Sequence, residues 1–274
     1  MNTGNPATTA YLDRAEGRIA YDVTGTGPLV VCIPGMGELR SSFRHTVPAL
    51  VAAGYRVATM DLRGHGESDP TFTRYDDVAA GEDLLALIDH LGGPAIVLGN
   101  SMGAGAAAWA AAERPTAVGG LVLLGAFVRN PPTNPLLALA FRGATSGPWA
   151  GRAWVSYLPK LYPGPRPDDF DEHLAAISAG LRRRAYRKAF TRTTRTSHAP
   201  VEQRLDGVHC PVLVVMGEQD PDFTDPAAEA RWIAERLHGE TLLVPDSGHY
   251  PQADHPEIVS PAVVEFAAAV SRHA

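Results

Sequence analysis

The sequence predicts an α/β protein, a doubly wound and mostly parallel sheet into which a helical segment is inserted. Three observations lead there. Short runs that are apolar throughout, such as Leu29–Ile33 and Val212–Met216, recur along the 274 residues, and strands covered on both faces read this way. Helix-like stretches separate them, the alternation that right-handed crossovers require. One interval of about 80 residues breaks the rhythm between Phe127 and Pro211, far beyond the ~4–6 residues of an ordinary connection.

The elements follow in order. Thr9–Leu12 and Arg18–Thr24 alternate, as an antiparallel edge hairpin would. Strand Leu29–Ile33 leads to a helix over Glu38–Ala53, and strand Arg56–Met60 to a helix over Tyr75–Leu91. In the latter, Leu84, Leu85, Leu87, Ile88 and Leu91 share one face. Strand Ala95–Leu98 enters a helix of small residues, Met102–Arg114, and strand Leu121–Leu124 precedes the long interval. That interval holds helical stretches at Pro135–Arg142, Trp149–Leu158, Asp168–Ala179 and Leu181–Thr196. The last places Leu181, Ala185, Tyr186, Ala189 and Phe190 on one face and arginines on the other. Strand Val212–Met216, helix Pro226–Leu237, strand Thr241–Val244 and helix Pro256–Ala274 complete the chain. Residues 1–128 and 207–274 read as one core domain and 129–206 as a helical cap.

Hydrophobic residues at 45% and charged residues at 20% exclude global disorder. A net charge of −6 gives no reason to expect nucleic acid as a partner. The charge is uneven. Residues 129–206 hold 13 Lys+Arg against 6 Asp+Glu, a net of +7, and the remainder 11 against 24, a net of −13. An arginine-rich solvent face explains this more simply than selection of anionic substrates. Cys32 and Cys210 both sit in or beside apolar runs, which speaks against a disulfide framework and for a reducing compartment. Met1–Pro6 has neither a basic start nor an apolar stretch, and Ala104–Ala112 is too short to span a bilayer. The expectation is a cytoplasmic protein with no membrane partner. Oligomeric state is not readable.

Gly99-Asn100-Ser101-Met102-Gly103 lies between a strand and a helix of small residues. A serine on that sharp turn projects its hydroxyl at the carboxyl end of the sheet, and the turn leaves no room for side chains two positions either side. The Met102 N–H then points from a helix N-terminus, where a developing negative charge is favoured.

With this motif in place, the chain resembles the α/β-hydrolase family from Ala10 to its end, which implies an eight-stranded sheet of that fold. In that family an acid and then a histidine follow the serine in chain order. The resemblance implies Asp220, in Gly217-Glu218-Gln219-Asp220-Pro221-Asp222, as the acid, with Asp222 the alternative. His249, in Asp246-Ser247-Gly248-His249, matches the general base. A serine hydroxyl is a poor nucleophile unaided. The imidazole would take its proton and the carboxylate would fix the tautomer. The loop Pro34-Gly35-Met36-Gly37 supplies the second oxyanion donor, so the hole is assigned to the Met36 and Met102 amides. Pro34 stands where the family commonly has histidine, so that loop must be hydrogen-bonded differently. Asp61-Leu62-Arg63-Gly64-His65-Gly66-Glu67-Ser68 is a further family stretch with a structural role. Asp61, Arg63 and His65 are therefore not counted as catalytic.

Other classes fare worse. Gly35-Met36-Gly37 with Asp61 imitates a dinucleotide fingerprint, but Arg40 occupies the third glycine position. No metallohydrolase or P-loop motif is present, so neither cofactor nor metal is expected. Dehalogenases and epoxide hydrolases of this fold use an aspartate where this chain has Ser101. What remains is hydrolysis of an ester, thioester or lactone, with an acyl carbonyl in a small-molecule substrate. Perhydrolysis and carbon–carbon hydrolysis at the same serine are the alternatives, and a slow-turnover ligand receptor is the reading from another class. Trp149, Trp154, Tyr157, Leu158, Tyr162, Tyr186 and Phe190 are available to line an apolar pocket or to form the core of the cap.

Overall fold

The computed structural model describes residues 9–131 and 134–273; Met1–Pro6 lies outside them. The order is β1 Ala10–Arg14, β2 Gly17–Thr24, β3 Leu29–Ile33, α1 Val47–Ala52, β4 Arg56–Met60, α2 Asp77–His90, β5 Ala95–Asn100, α3 Met102–Glu113 and β6 Val118–Leu124. Then come α4 Pro135–Ala144, α5 Ala150–Tyr157, α6 Phe170–Arg182, α7 Arg184–Thr193 and α8 Ala199–Glu202. The chain closes with β7 Val212–Gly217, α9 Pro226–Leu237, β8 Glu240–Val244, α10 Pro251–Asp254 and α11 Pro256–His273.

Eight strands form one sheet in the order β1-β2-β4-β3-β5-β6-β7-β8. The β1–β2 and β2–β4 pairs are antiparallel and the rest parallel. β3, β5 and β7 are buried at every position, which is why their sequences do not alternate. Leu84, Leu87 and Ile88 of α2 pack with the alanine-rich α3 on one face of the sheet, and Val259 and Val263 of α11 pack on the other. The two helices approach closely: a Cβ on Gly81 of α2 would strike the Trp109 ring of α3.

Two helices differ from expectation. No single helix covers 38–53. Leu39 is extended, a 3-10 turn spans Arg40–Phe43, and α1 begins only at Val47. Pro48 in the first turn of α1 lacks the N–H that a continuous helix would use. The 181–196 helix is also divided. Leu181 lies in the last turn of α6 and Arg183 is extended, so α7 starts at Arg184 with Ala185 exposed and Ala189 and Phe190 buried. No helix among the described residues is long and apolar enough to cross a membrane.

Candidate active site

Ser101 occupies the bend between β5 and α3 with φ 56°, a left-handed conformation that strains any residue but glycine. The backbone enforces it. Ser101 N–H donates to the Leu124 carbonyl at 2.9 Å, and its own carbonyl accepts from Ala104 N at 3.0 Å. The flanking glycines make room. A Cβ at Gly99 would lie 2.5 Å from the Gly103 carbonyl oxygen, and one at Gly103 would run into the Ile33 and Pro34 carbonyls. Those are backbone atoms and cannot turn aside. Gly103→Ala is expected to cost about 1–3 kcal/mol, read as a lowered midpoint in thermal unfolding; an unchanged midpoint would mean that the elbow is looser than drawn.

Gly35 to Glu38 form the loop facing the serine. Glu38 N–H donates to the Gly35 carbonyl at 3.3 Å, and Gly37 has φ 73°, the third position of a type II turn. Gly35 has no side chain because Ser101 Cβ would lie 2.7 Å from it. Where the family has histidine, another part of the chain holds this turn. His65 Nε2 accepts from Gly37 N–H at 3.0 Å while its Nδ1–H donates to the Arg63 carbonyl at 3.0 Å. Both bonds need the neutral ring, and burial lowers the His65 pKa accordingly. Trp154 of α5 donates to the Gly37 carbonyl at 3.1 Å. Among the described residues, neither the Met36 nor the Met102 amide has a hydrogen-bond partner. Asp61 and Arg63 are structural. Asp61 receives the Arg40 and Glu67 backbone N–H groups, and Arg63 pairs with buried Asp83 at 2.5 Å.

His249 arrives on the loop after β8. Its N–H donates to the Leu161 carbonyl at 2.9 Å, and its carbonyl accepts from Asn100 Nδ2 at 3.1 Å, which also reaches the Leu124 carbonyl at 3.1 Å. The residue before the serine thus ties histidine and serine to the same strand end. Asp254 fixes the loop from below, accepting from Gly248 N–H at 3.0 Å and Ser247 Oγ–H at 2.8 Å. His249 Nδ1 lies 2.7 Å from Asp220 Oδ2 and 3.8 Å from Asp222 Oδ2. The shorter contact makes Asp220 the hydrogen-bond partner, with the proton on Nδ1 and Nε2 left over. Burial pushes the imidazole pKa down, but the charge and hydrogen bond of Asp220, then Asp222 and Glu38, carry it up to about 9. Asp222 accepts from the Tyr157 hydroxyl at 2.5 Å. Ser101 Oγ makes no hydrogen bond among the described residues, and the residue is 8% exposed, so the serine–imidazole hydrogen bond is open in this structure. Asp220, Asp222 and His249 offer ligand atoms within 4.8 Å of one another. The His249–Asp220 hydrogen bond already occupies the nitrogen that a metal would need.

Residues 30–262 match the model of a family described as the alpha/beta hydrolase family. The chain belongs to that family. It is 31% identical to 2-(acetamidomethylene)succinate hydrolase of Mesorhizobium japonicum over 261 residues, covering 91% of this chain and 92% of that one. It is 28% identical to a 2-hydroxy-6-oxononadienedioate/2-hydroxy-6-oxononatrienedioate hydrolase of Burkholderia vietnamiensis, covering 95% and 96%. The crystal structure of a bromoperoxidase from Bacillus anthracis superposes with a TM-score of 0.79 at 23% identity, covering 94% of this chain and 99% of that one.

Several contacts of this alpha/beta hydrolase site escape a sequence reading. Tyr157, Trp154 and His173 come from the inserted helices, and no local pattern announces their partners Asp222, Gly37 and Glu38. Phe127 stands 5.9 Å from the His249 ring and stacks on Phe223 at 4.8 Å. Of the seven aromatic and leucine candidates, Trp154, Leu158, Tyr162 and Phe190 are buried together, whereas Trp149 is 56% exposed. A cavity of about 770 Å³ lies away from Ser101, between β2, β4 and α6, where Asp22, Arg40, Thr59 and Arg183 line it. The site itself is covered.

Proposed function

We propose that this alpha/beta hydrolase cleaves a small-molecule carboxylic ester through an acyl-enzyme formed on Ser101. One observation carries the reading: a strained serine, an imidazole and a carboxylate paired at 2.7 Å converge on one end of the sheet beside two unpartnered amides. His249 Nε2 takes the hydroxyl proton as Oγ attacks the acyl carbon, and Asp220 holds the imidazolium that results. The Met36 and Met102 N–H groups receive the oxyanion. Collapse of the tetrahedral intermediate expels the alcohol, which takes the proton from His249. Water, deprotonated by the same imidazole, then releases the acid and restores the serine. Residues 129–206 act as a cap that must move to admit substrate, since Ser101 and His249 are 8% and 2% exposed. The reaction needs no cofactor, and a cytoplasmic setting is part of the proposal.

Carbon–carbon hydrolysis at the same serine is the second reading, supported by similarity along the whole chain to the Burkholderia vietnamiensis hydrolase, whose named substrates are oxo-dioates and not esters. A p-nitrophenyl ester series of rising acyl length, with fluorophosphonate labelling of Ser101, separates these. Multiple turnovers with labelling support ester hydrolysis. Labelling without ester turnover favours the carbon–carbon reading or a slow-turnover receptor, and absence of both would sink the activated serine.

A further inference from the structure

Glu38 has no part in the proposed chemistry, yet it lies two residues beyond the Met36 amide and is 1% exposed. Its Oε2 accepts from His173 Nε2 at 2.8 Å and from Leu39 N–H at 3.3 Å. Its Oε1 is buried and without a hydrogen-bond partner among the described residues. A buried carboxylate oxygen left this way is costly unless a donor reaches it.

Its surroundings lead to the reacting centre. Tyr250 stands edge-on to the His249 ring at 5.1 Å, and Tyr162 stacks on Tyr250 at 5.0 Å. Burial raises the pKa of both tyrosines, and the Glu38 charge raises it further. Met36 and Leu39, on either side of Glu38, pack against the cluster that holds Tyr162 and Tyr250, which puts Glu38 beside these rings. Among the described residues, His173 is the side chain bonded to it and no arginine or lysine pairs with it. Arg44, the cation whose charge reaches both Glu38 and Tyr162, is held by Asp169 through two hydrogen bonds, one of them 2.6 Å long. The charges of Asp220, Asp222 and Glu38 act together on the His249 imidazole, the first two from 2.7 Å and 3.8 Å. The many arginines of α6 and α7 lie outside: Arg182, Arg183 and Arg184 are exposed.

We propose that Glu38 is the specificity determinant of this site, selecting acyl groups that carry a hydrogen-bond donor, neutral or cationic, and excluding those that carry a carboxylate. This rests on the reading of Ser101 as the nucleophile. It also separates the chain from relatives named for a succinate and for dioates. A donor on the substrate completes Oε1, whereas a substrate carboxylate meets like charge in a closed, low-dielectric space.

The test uses p-nitrophenyl esters of trans-4-substituted cyclohexanecarboxylic acids bearing methyl, hydroxymethyl, aminomethyl or carboxylate groups, whose trans geometry prevents self-cyclisation. The hydroxymethyl and aminomethyl esters are expected to exceed the methyl ester in kcat/KM. The carboxylate ester is expected to fall about 100-fold below it, chiefly through KM. Glu38→Gln, which keeps the shape and removes the charge, is expected to narrow the carboxylate-to-methyl ratio at least about 10-fold. The wild-type ranking stands as evidence even if that variant does not fold. Enzyme that labels with fluorophosphonate but hydrolyses the carboxylate ester as well as the others would overturn the Glu38 assignment alone. Enzyme that does not label would overturn the serine reading beneath it.

Discussion

Ser101→Ala is expected to lower kcat by about 10⁴–10⁶-fold while leaving the fold intact. The size follows from what the hydroxyl does. Without it no acyl-enzyme forms, and only oxyanion stabilisation and binding remain. The intact fold follows from what the hydroxyl does not do: it has no hydrogen bond among the described residues, whereas the Ser101 backbone has several. Ser101→Gly sharpens the distinction. Position 101 has φ 56°, so glycine relieves strain of about 1–3 kcal/mol. That variant is expected to melt at or above the wild-type temperature and to be equally inactive. Circular dichroism melts alongside ester turnover make the measurement. Activity surviving in either variant would remove the serine from the mechanism, and a joint loss of activity and fold would show only that the bend is structural.

The parts of the site that could be read from the sequence are those carried on strand ends. Gly99–Gly103 adjoins β5, Gly217–Asp222 adjoins β7, and Asp246–His249 follows β8. In each case, the strand that places the residue lies within a few positions of it, and all three strands are parallel, so their carboxyl ends share one edge. The fold was legible for the same reason, because buried parallel strands write themselves as unbroken apolar runs. Legibility ended where contact depended on the inserted helices. His173 and Glu38 are 135 residues apart, and Trp154 and Gly37 are 117. Neither pair carries a local signal. Glu38 was further hidden by a helical pattern that the extended Leu39 and the proline in α1 interrupt. The turn offers Asp220 and Asp222 two positions apart; the resemblance puts Asp220 first, and the distances of 2.7 Å and 3.8 Å to Nδ1 give the physical ranking.

That ranking gives the second large effect. Asp220→Asn is expected to lower kcat by about 10⁴-fold, because an amide at 2.7 Å from Nδ1 favours the wrong imidazole tautomer and cannot balance an imidazolium. Asp222→Asn, 3.8 Å away and bonded instead to Tyr157, is expected to stay within about 10-fold of wild type. Its effect belongs in the pH profile. A His249 pKa near 9 means that the base is protonated at neutral pH, so kcat/KM rises as pH rises and levels off above that value. The Asp222 charge helps to hold this pKa up. Its removal favours the neutral ring and moves the rising limb to lower pH, while Asp222→Glu keeps the charge and the limb. Profiles of kcat/KM from pH 6 to 10 for wild type and the three variants decide it. If Asp222→Asn were the crippled variant and Asp220→Asn the mild one, the two carboxylates would have to exchange roles. A limb that does not move in Asp222→Asn would mean that this carboxylate is protonated, as its burial beside Asp220 favours, and that the charge on the imidazole comes from Asp220 and Glu38.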